Sequence, residues 1–312
     1  MRDMDVAADG LDVVLGARFD FSPGDKVTAE LGYADRGLEE VFTGEVVEIA
    51  STLQGTQVRS LGKMNALLTL KVAKEYEERD AGEIARDLIS QAGLTAGTVD
   101  RGPTLPRFTI DQRQSAYQYL RNLADRLGYE LYANRKGDIM FREMTRANNL
   151  SSSQPGGPVP NSETQYVYGE SLLQLVAQSL LAEPSMVEVG GESPTSRTGE
   201  KTFYWLTTQE SDVRDTAGSG RLLQSVLDPA ARTKDLAKIF ATGLRTTWMR
   251  RRQLENITVL GNAEIDLGDS VSVTGVPEKS ANTCGYVKAI RHRFGAGVGF
   301  LTDLCFVPEG TA

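Results

Sequence analysis

Few residues in this chain have the types and spacing that chemistry needs. His292 is the single histidine. A zinc site of the H-E-x-x-H type or a Ser-His-Asp triad would have to be built on it. It lies in Arg291-His292-Arg293-Phe294, in the middle of a predicted strand, and reads as a structural histidine. Cys284 and Cys305 fall on neighbouring predicted strands and are expected to be buried free thiols; a disulfide or a nucleophile is the alternative. The lone histidine has no evident reason to pair with either. Arg250-Arg251-Arg252 with Arg245 is the one basic cluster, fit for a phosphate backbone, an acidic partner or the solvated end of an element. Gly295-Ala296-Gly297-Val298-Gly299 lacks the following Lys-Ser/Thr of a phosphate loop and links strands rather than opening a helix. The 42 acidic residues allow many carboxylate pairs, and no spacing singles one out for glycoside cleavage. The sequence therefore nominates no catalytic residue, no cofactor-binding residue, no metal ligand and no cofactor.

The whole chain narrows the classes further. Its 312 residues can bury a sizeable core and hold more than one domain. A net charge of −8 argues against specific nucleic-acid binding, which needs clustered Lys and Arg. No apolar run approaches the roughly 20 residues that span a bilayer. No basic segment followed by an apolar one marks a secretory signal at the N-terminus. Two cysteines in a chain this long point to a reducing compartment, and synthesis in the cytoplasm is the simplest expectation.

The elements are centred on Asp80 to Glu143. Asp80 and Glu83 have the spacing of a capping box. Ile84, Leu88 and Ile89 follow at helical spacing, and Gly93 supplies a left-handed stop. A second helix starts near Ser115, carries Tyr119, Leu120, Leu123, Ala124 and Leu127 on one face, and ends at Gly128. Tyr129 to Tyr132, a turn at Asn134 to Gly137, and Ile139 to Phe141 then read as a hairpin. Ahead of this unit residues 1 to 20 are weakly patterned, and strands are predicted around Val27, over Val41 to Ile49, and over Thr56 to Leu61. After it, Ser151 to Pro158 has linker composition. Residues 166 to 190 are ambiguous between helix and strands, with Tyr168-Gly169 and the alternating Met186-Val187-Glu188-Val189 favouring strands. Residues 191 to 228 are polar and Gly/Ser-punctuated around Phe203-Tyr204-Trp205 and read as an excursion with little regular structure. Pro229 suits a first helical turn, and a helix runs to about Trp248. Strands return at Leu254 to Leu260, from Val271, and as a hairpin of Tyr286 to Ile290 with Phe300 to Phe306.

One echo runs through this order. Gly24-Asp25-Lys26-Val27, a strand and Gly44-Glu45-Val46-Val47-Glu48-Ile49 are matched by Gly268-Asp269-Ser270-Val271, a strand and Gly285-Tyr286-Val287-Lys288-Ala289-Ile290. Any two hairpins share Gly-Asp turns and Val alternation; the sharper reading is two similar barrels in one chain.

The run Glu83-Ile84-Ala85 to Ala92-Gly93-Leu94, then Gln114-Ser115 to Leu120, Leu123-Ala124, Gly128-Tyr129 and Phe141-Arg142 resembles tail hub proteins: the phage late control protein D family, the hub of T-even phage baseplates and the hub half of VgrG-type spike proteins. The resemblance extends over roughly residues 20 to 306, through Phe21 to Tyr33, Phe42 to Val46 and Leu267 to Val271. It favours strands over residues 166 to 190, and relatives often carry a histidine at the position of His292. It implies an α+β, mostly β fold of two similar antiparallel β-barrels with an inserted small α+β unit. The divisions are a first barrel at 1–74, an α+β insertion at 75–147, a linker at 148–165, a second barrel at 166–190 with 250–312, and an excursion at 191–249 whose helix braces the insertion. The implied role is a non-enzymatic baseplate hub of a phage tail or phage-tail-like contractile injection system. It would be a homotrimer of six like units between a six-fold tail tube and a three-fold spike, with baseplate wedge proteins outside. The short stretch ahead of Gly24 departs from the family and requires residues 4 to 20, or a neighbour, to supply a strand. The chain stops soon after Phe306, so the spike is expected on a separate chain. A tail-associated cell-wall hydrolase and a carbohydrate-binding β module are the other classes.

Overall fold

The computed structural model describes residues 1–53, 55–144, 164–179, 185–191 and 213–308. Most of the expected linker, and Phe203, Tyr204 and Trp205 of the excursion, lie outside these residues.

The first sheet is built from β2 (Gly10–Leu15), β3 (Lys26–Tyr33), β4 (Gly37–Thr52) and β5 (Gly55–Gly62), in the order β2-β5-β4-β3. Every pairing in it is antiparallel. β2 is thus the strand that the weakly patterned N-terminal stretch had to supply. Residues ahead of it do not stay with the first sheet. β1 (Arg2–Asp3) pairs with β18 (Cys284–Gly295) of the second. This corrects the assignment of all of residues 1–74 to one barrel. The cause is long-range. Arg2 is buried and bonds Asp9 at 3.2 Å, the Ala133 carbonyl at 2.9 Å and Asp266 at 2.6 Å.

The insertion opens with the short helix α1 (Asn65–Thr69). β6 (Lys74–Asp80) pairs with β8 (Thr104–Ile110), and β7 (Ala96–Val99), β10 (Ile139–Glu143) and β9 (Tyr129–Ala133) form a three-stranded sheet. Between them lie α2 (Ala81–Gln91) and α3 (Ala116–Leu127). At the start of α2, Asp80 Oδ1 accepts the Glu83 amide at 2.7 Å, while its other oxygen takes Arg101 at 3.0 Å. The reciprocal capping box forms instead on α3, where Ser115 and Gln118 each bond the other's amide. Gly93 and Gly128 are left-handed, at φ 71° and 68°.

The second sheet holds β11 (Thr164–Val167), β12 (Leu172–Ser179), β16 (Gln253–Leu260), β17 (Ser270–Thr274), β18 and β19 (Gly299–Pro308), ordered β11-β17-β18-β19-β16-β12, with β1 alongside β18. All its pairings are antiparallel except β11 with β17. Residues 164–167 and 172–179 are therefore two strands joined by a turn, in keeping with the expectation of strands here. Residues 186 to 190 do not join this sheet. β13 (Met186–Gly191) lies between β14 (Arg214–Gly218) and β15 (Leu223–Asp228) in a small sheet of its own. Period-two alternation shows that one face of a strand is buried, but not against which sheet. The segment expected to lack regular structure supplies both its partners. The last helix, α4 (Lys234–Arg252), begins after Pro229 rather than on it, with Thr233 Oγ1 accepting the Leu236 amide at 3.2 Å.

The chain is thus an α+β protein, mostly β, with two similar barrel-like curled β units. One core joins the insertion to β13 and α4 through Leu88, Leu123, Val187 and Phe240. A second lies on the inner face of the second sheet around Val259, Val287 and Phe306, and takes in Tyr132 of β9. A small cluster of Val41, Ala263 and Phe300 joins the two units.

Candidate functional site

The residues singled out for chemistry settle into structural positions. His292 stands opposite Thr302 in the β18–β19 register, with Nδ1 3.0 Å from Thr302 Oγ1 and its ring 5.8 Å from that of Phe300. Burial, with Arg2 and Arg135 nearby, pulls its pKa down to about 4, so it is neutral at pH 7. Cys305 stands opposite Ala289, and Cys284 is five positions away along the same strand. At about 3.3 Å per residue that is on the order of 15 Å, well beyond the roughly 7 Å that a disulfide spans. Neither cysteine is in a disulfide, and burial pushes the Cys305 thiol up to about 11. Such a thiol is protonated and a poor nucleophile at neutral pH. Among the described residues no group of three or more His, Cys, Asp or Glu is placed to hold a metal ion. Gly295 to Gly299 closes the β18–β19 hairpin, with the Val298 amide on the Gly295 carbonyl at 3.1 Å.

The basic cluster turns inward. Arg250 donates to the carbonyls of Gly128 at 2.7 Å and Met144 at 2.8 Å, and its guanidinium lies 6.0 Å from the centre of the Tyr286 ring. The first of these bonds satisfies the C-terminal end of α3. Arg251 bonds Asp125 at 3.2 Å and lies 3.7 Å from Asp5. Asp5 also meets Lys288 at 2.7 Å and Arg121 at 2.9 Å. The cluster therefore ties α4 to the insertion, the N-terminal segment and the second sheet.

What stands out is a four-stranded unit made twice. The first sheet, β2-β5-β4-β3, is repeated inside the second as β16-β19-β18-β17, with the same chain order and the same neighbours. The match reaches single bonds. Gly24 donates to the Val46 carbonyl and Val46 back to the Asp25 carbonyl, both at 2.8 Å; Gly268 donates to Val287, and Val287 back to Asp269, also at 2.8 Å. Each aspartate side chain accepts the amide three residues earlier, Ser22 at 2.8 Å and Asp266 at 2.7 Å. Gly24 and Gly268 sit at φ 94° and 86°, a region that an L side chain strains to adopt. The long strand bulges at the same place, between Val46 and Glu48 in one unit and between Val287 and Ala289 in the other. The sequence showed the Gly-Asp turn. It did not show the matching bulge, nor the role shared by Thr56 and Thr302, each buried with its hydroxyl on a loop amide.

The repeated units fix the two sheets relative to one another through Phe300, whose ring lies 5.7 Å from that of Tyr33, and through Arg135, 3.7 Å from Glu39 and 3.6 Å from Asp266. Such an arrangement defines a duplicated β scaffold.

Solved structures share it. A 43 kDa tail protein of prophage MuSo2 from Shewanella oneidensis superposes with a TM-score of 0.68 at 14% identity, over 98% of this chain and 92% of that one. The tail protein from Neisseria meningitidis MC58 gives 0.70 at 13% identity, over 99% and 90%. An E. coli component of the type VI secretion system, described as structurally similar to the T4 bacteriophage tail proteins gp27 and gp5, gives 0.53 at 7% identity, over 91% of this chain and 64% of that one. No family model matches the sequence, and no curated protein does. The chain has the fold of these tail and secretion-system proteins.

Proposed function

We propose that this chain is a structural hub at the base of a phage tail or a phage-tail-like contractile injection system, and that it carries out no catalysis. Its working form is a homotrimer. The ring is built from two units per chain, one on β2 to β5 and one on β16 to β19 with β11 and β12. The insertion and α4 brace the outside. Three copies then offer six like units to a six-fold tail tube and three chains to a spike made separately, with wedge proteins at the rim. Synthesis is in the bacterial cytoplasm, and the destination is the particle.

The observation that carries this reading is the repeat of one four-stranded unit down to its turn bonds, its bulge and its buried threonine. A symmetry-matching ring makes use of two such copies, because three chains with doubled units satisfy both orders of symmetry. The shared fold with tail proteins agrees with it. The test is a three-dimensional reconstruction of the particle from the producing cell. Three copies of this chain enclosing a channel are expected. Two copies, or six, would overturn the proposal.

A further inference from the structure

The repeat shows which edges of the scaffold are covered and which are bare. In the second sheet β16 is flanked by β12, and β17 by β11. Their counterparts in the first sheet, β2 and β3, have no strand beyond them among the described residues. β12 is likewise terminal in its own sheet among the described residues. A bare edge presents a row of unpaired N–H and C=O groups, and proteins guard such edges with charge, proline or bulges. β12 carries no charged residue and no proline along Leu172–Ser179, and Leu173 and Val176 on it are 54% and 48% exposed. β2 carries only Asp12, which is held by Arg59 at 2.9 Å, and Val14 on it is 76% exposed. β3 is guarded by Lys26 and Glu30, both exposed.

We propose that the outer edge of β12 in one copy of this chain pairs antiparallel with the outer edge of β2 in the next copy. The repeat supplies the geometry. In the shared register Val13 stands where Ile257 stands, and Leu15 where Val259 stands, so a strand laid on β2 takes the place that β12 takes on β16. That place is antiparallel; Asp12, held by Arg59, is the one charge along it, and Met1 bonds the N–H and C=O of Gly10 at its start, so the open stretch runs from Leu11 to Leu15. Because the two edges are different surfaces of one chain, the contact is head-to-tail and propagates from copy to copy until it closes. The number of copies at closure rests on the hub reading; the pairing does not.

The experiment co-expresses two differently tagged copies in the producing cell, both with Cys284→Ser and Cys305→Ser. One copy carries Val14→Cys and the other carries Gln174→Cys or Val176→Cys. Oxidation of the assembled protein is expected to give a covalent dimer bearing both tags with at least one of the two pairs. Thr28→Cys on β3, used in place of Val14→Cys, is expected to give none. Native mass of the same sample counts the copies. A three-copy assembly with no mixed dimer from the Val14 pairs, or with one from Thr28 instead, overturns the pairing and leaves the hub reading standing. A mixed dimer from Val14 in an assembly of another copy number keeps the pairing and overturns the trimer. A single-copy protein with no mixed dimer overturns both.

Discussion

Thr56 and Thr302 occupy the same place in the two β units. Each is fully buried on the last strand of its unit and accepts the amide of the loop that follows the unit's first strand, Phe19 at 3.2 Å and Asn262 at 2.9 Å. Thr302 additionally meets His292, which stands where Ser51 stands opposite Thr56. The loop that leaves a first strand is fastened to the last strand in both units by a hydroxyl, and in the second unit also by the Gly261 amide on the Phe300 carbonyl at 2.9 Å.

That equivalence has a measurable consequence. Thr56→Val and Thr302→Val each keep the shape and leave a loop amide unsatisfied, at about 1–3 kcal/mol. Urea unfolding is expected to show losses in this range for both. The loss at Thr302 should be the larger, because His292 Nδ1 is stranded as well. A neutral Thr56→Val would mean that the Phe19 amide is solvated and the fastening is unique to the second unit.

Leu88 lies in the core that the insertion shares with β13 and α4. Leu88→Ala should cost about 2–5 kcal/mol. Hydrogen exchange is expected to accelerate over residues 80 to 143 and, with them, over 186–191 and α4. The strands around Val27 and Val271 belong to other packing clusters or to none and should keep their protection. Equal acceleration there would show that the units and the insertion unfold as one.

Arg250 fills two carbonyls from the buried end of α4. Arg250→Met leaves both carbonyls and the nearby Glu130 carboxylate without it, and breaking a buried charged contact on one side costs about 3–5 kcal/mol. Arg250→Lys is expected to recover less than half of that, since a single ammonium cannot reproduce the two-pronged donor. Thermal unfolding of the two variants against the parent decides it.

His292 makes stability fall in mild acid. Its folded-state pKa of about 4 lies below the ordinary histidine value of 6.5. Between these values the unfolded chain binds a proton that the folded chain refuses. The stabilising difference is complete above the unfolded value and is lost as pH falls toward the folded one, with a slope of up to about 1.4 kcal/mol per pH unit from this one group. The difference in urea midpoint between parent and His292→Gln, followed from pH 7 to pH 4, isolates it from the carboxylates. A constant difference across that range would show that the ring is solvated. The same variant is expected to leave no catalytic defect. Digestion of peptidoglycan or peptide by the parent, lost on substitution, would contradict the structural role.

The sequence by itself determined what neighbouring residues can settle. The Gly-Asp turns at Gly24 and Gly268, the cap at Asp80, the helix start near Ser115 and the stops at Gly93 and Gly128 depend on bonds within a few residues, and each stands where the pattern placed it. The echo between the two Gly-Asp strands was legible for the same reason. Partnership between distant strands was not. The alternation of β13 is equally consistent with either sheet, and only the packing of Val187 and Val189 against α4 decides for the smaller one. The three consecutive arginines read as a solvated or partner-facing run, because their counter-groups on Gly128, Met144, Asp125 and Asp5 are more than 100 residues away in the chain. Likewise β1 leaves the unit it precedes because Arg2 is held by Asp266 and Ala133. Local hydrogen bonds are written in order along the sequence. Which buried surfaces and charges meet is settled only when the whole chain closes on itself, and that decided how the insertion, the N-terminal segment and the two β units are locked together.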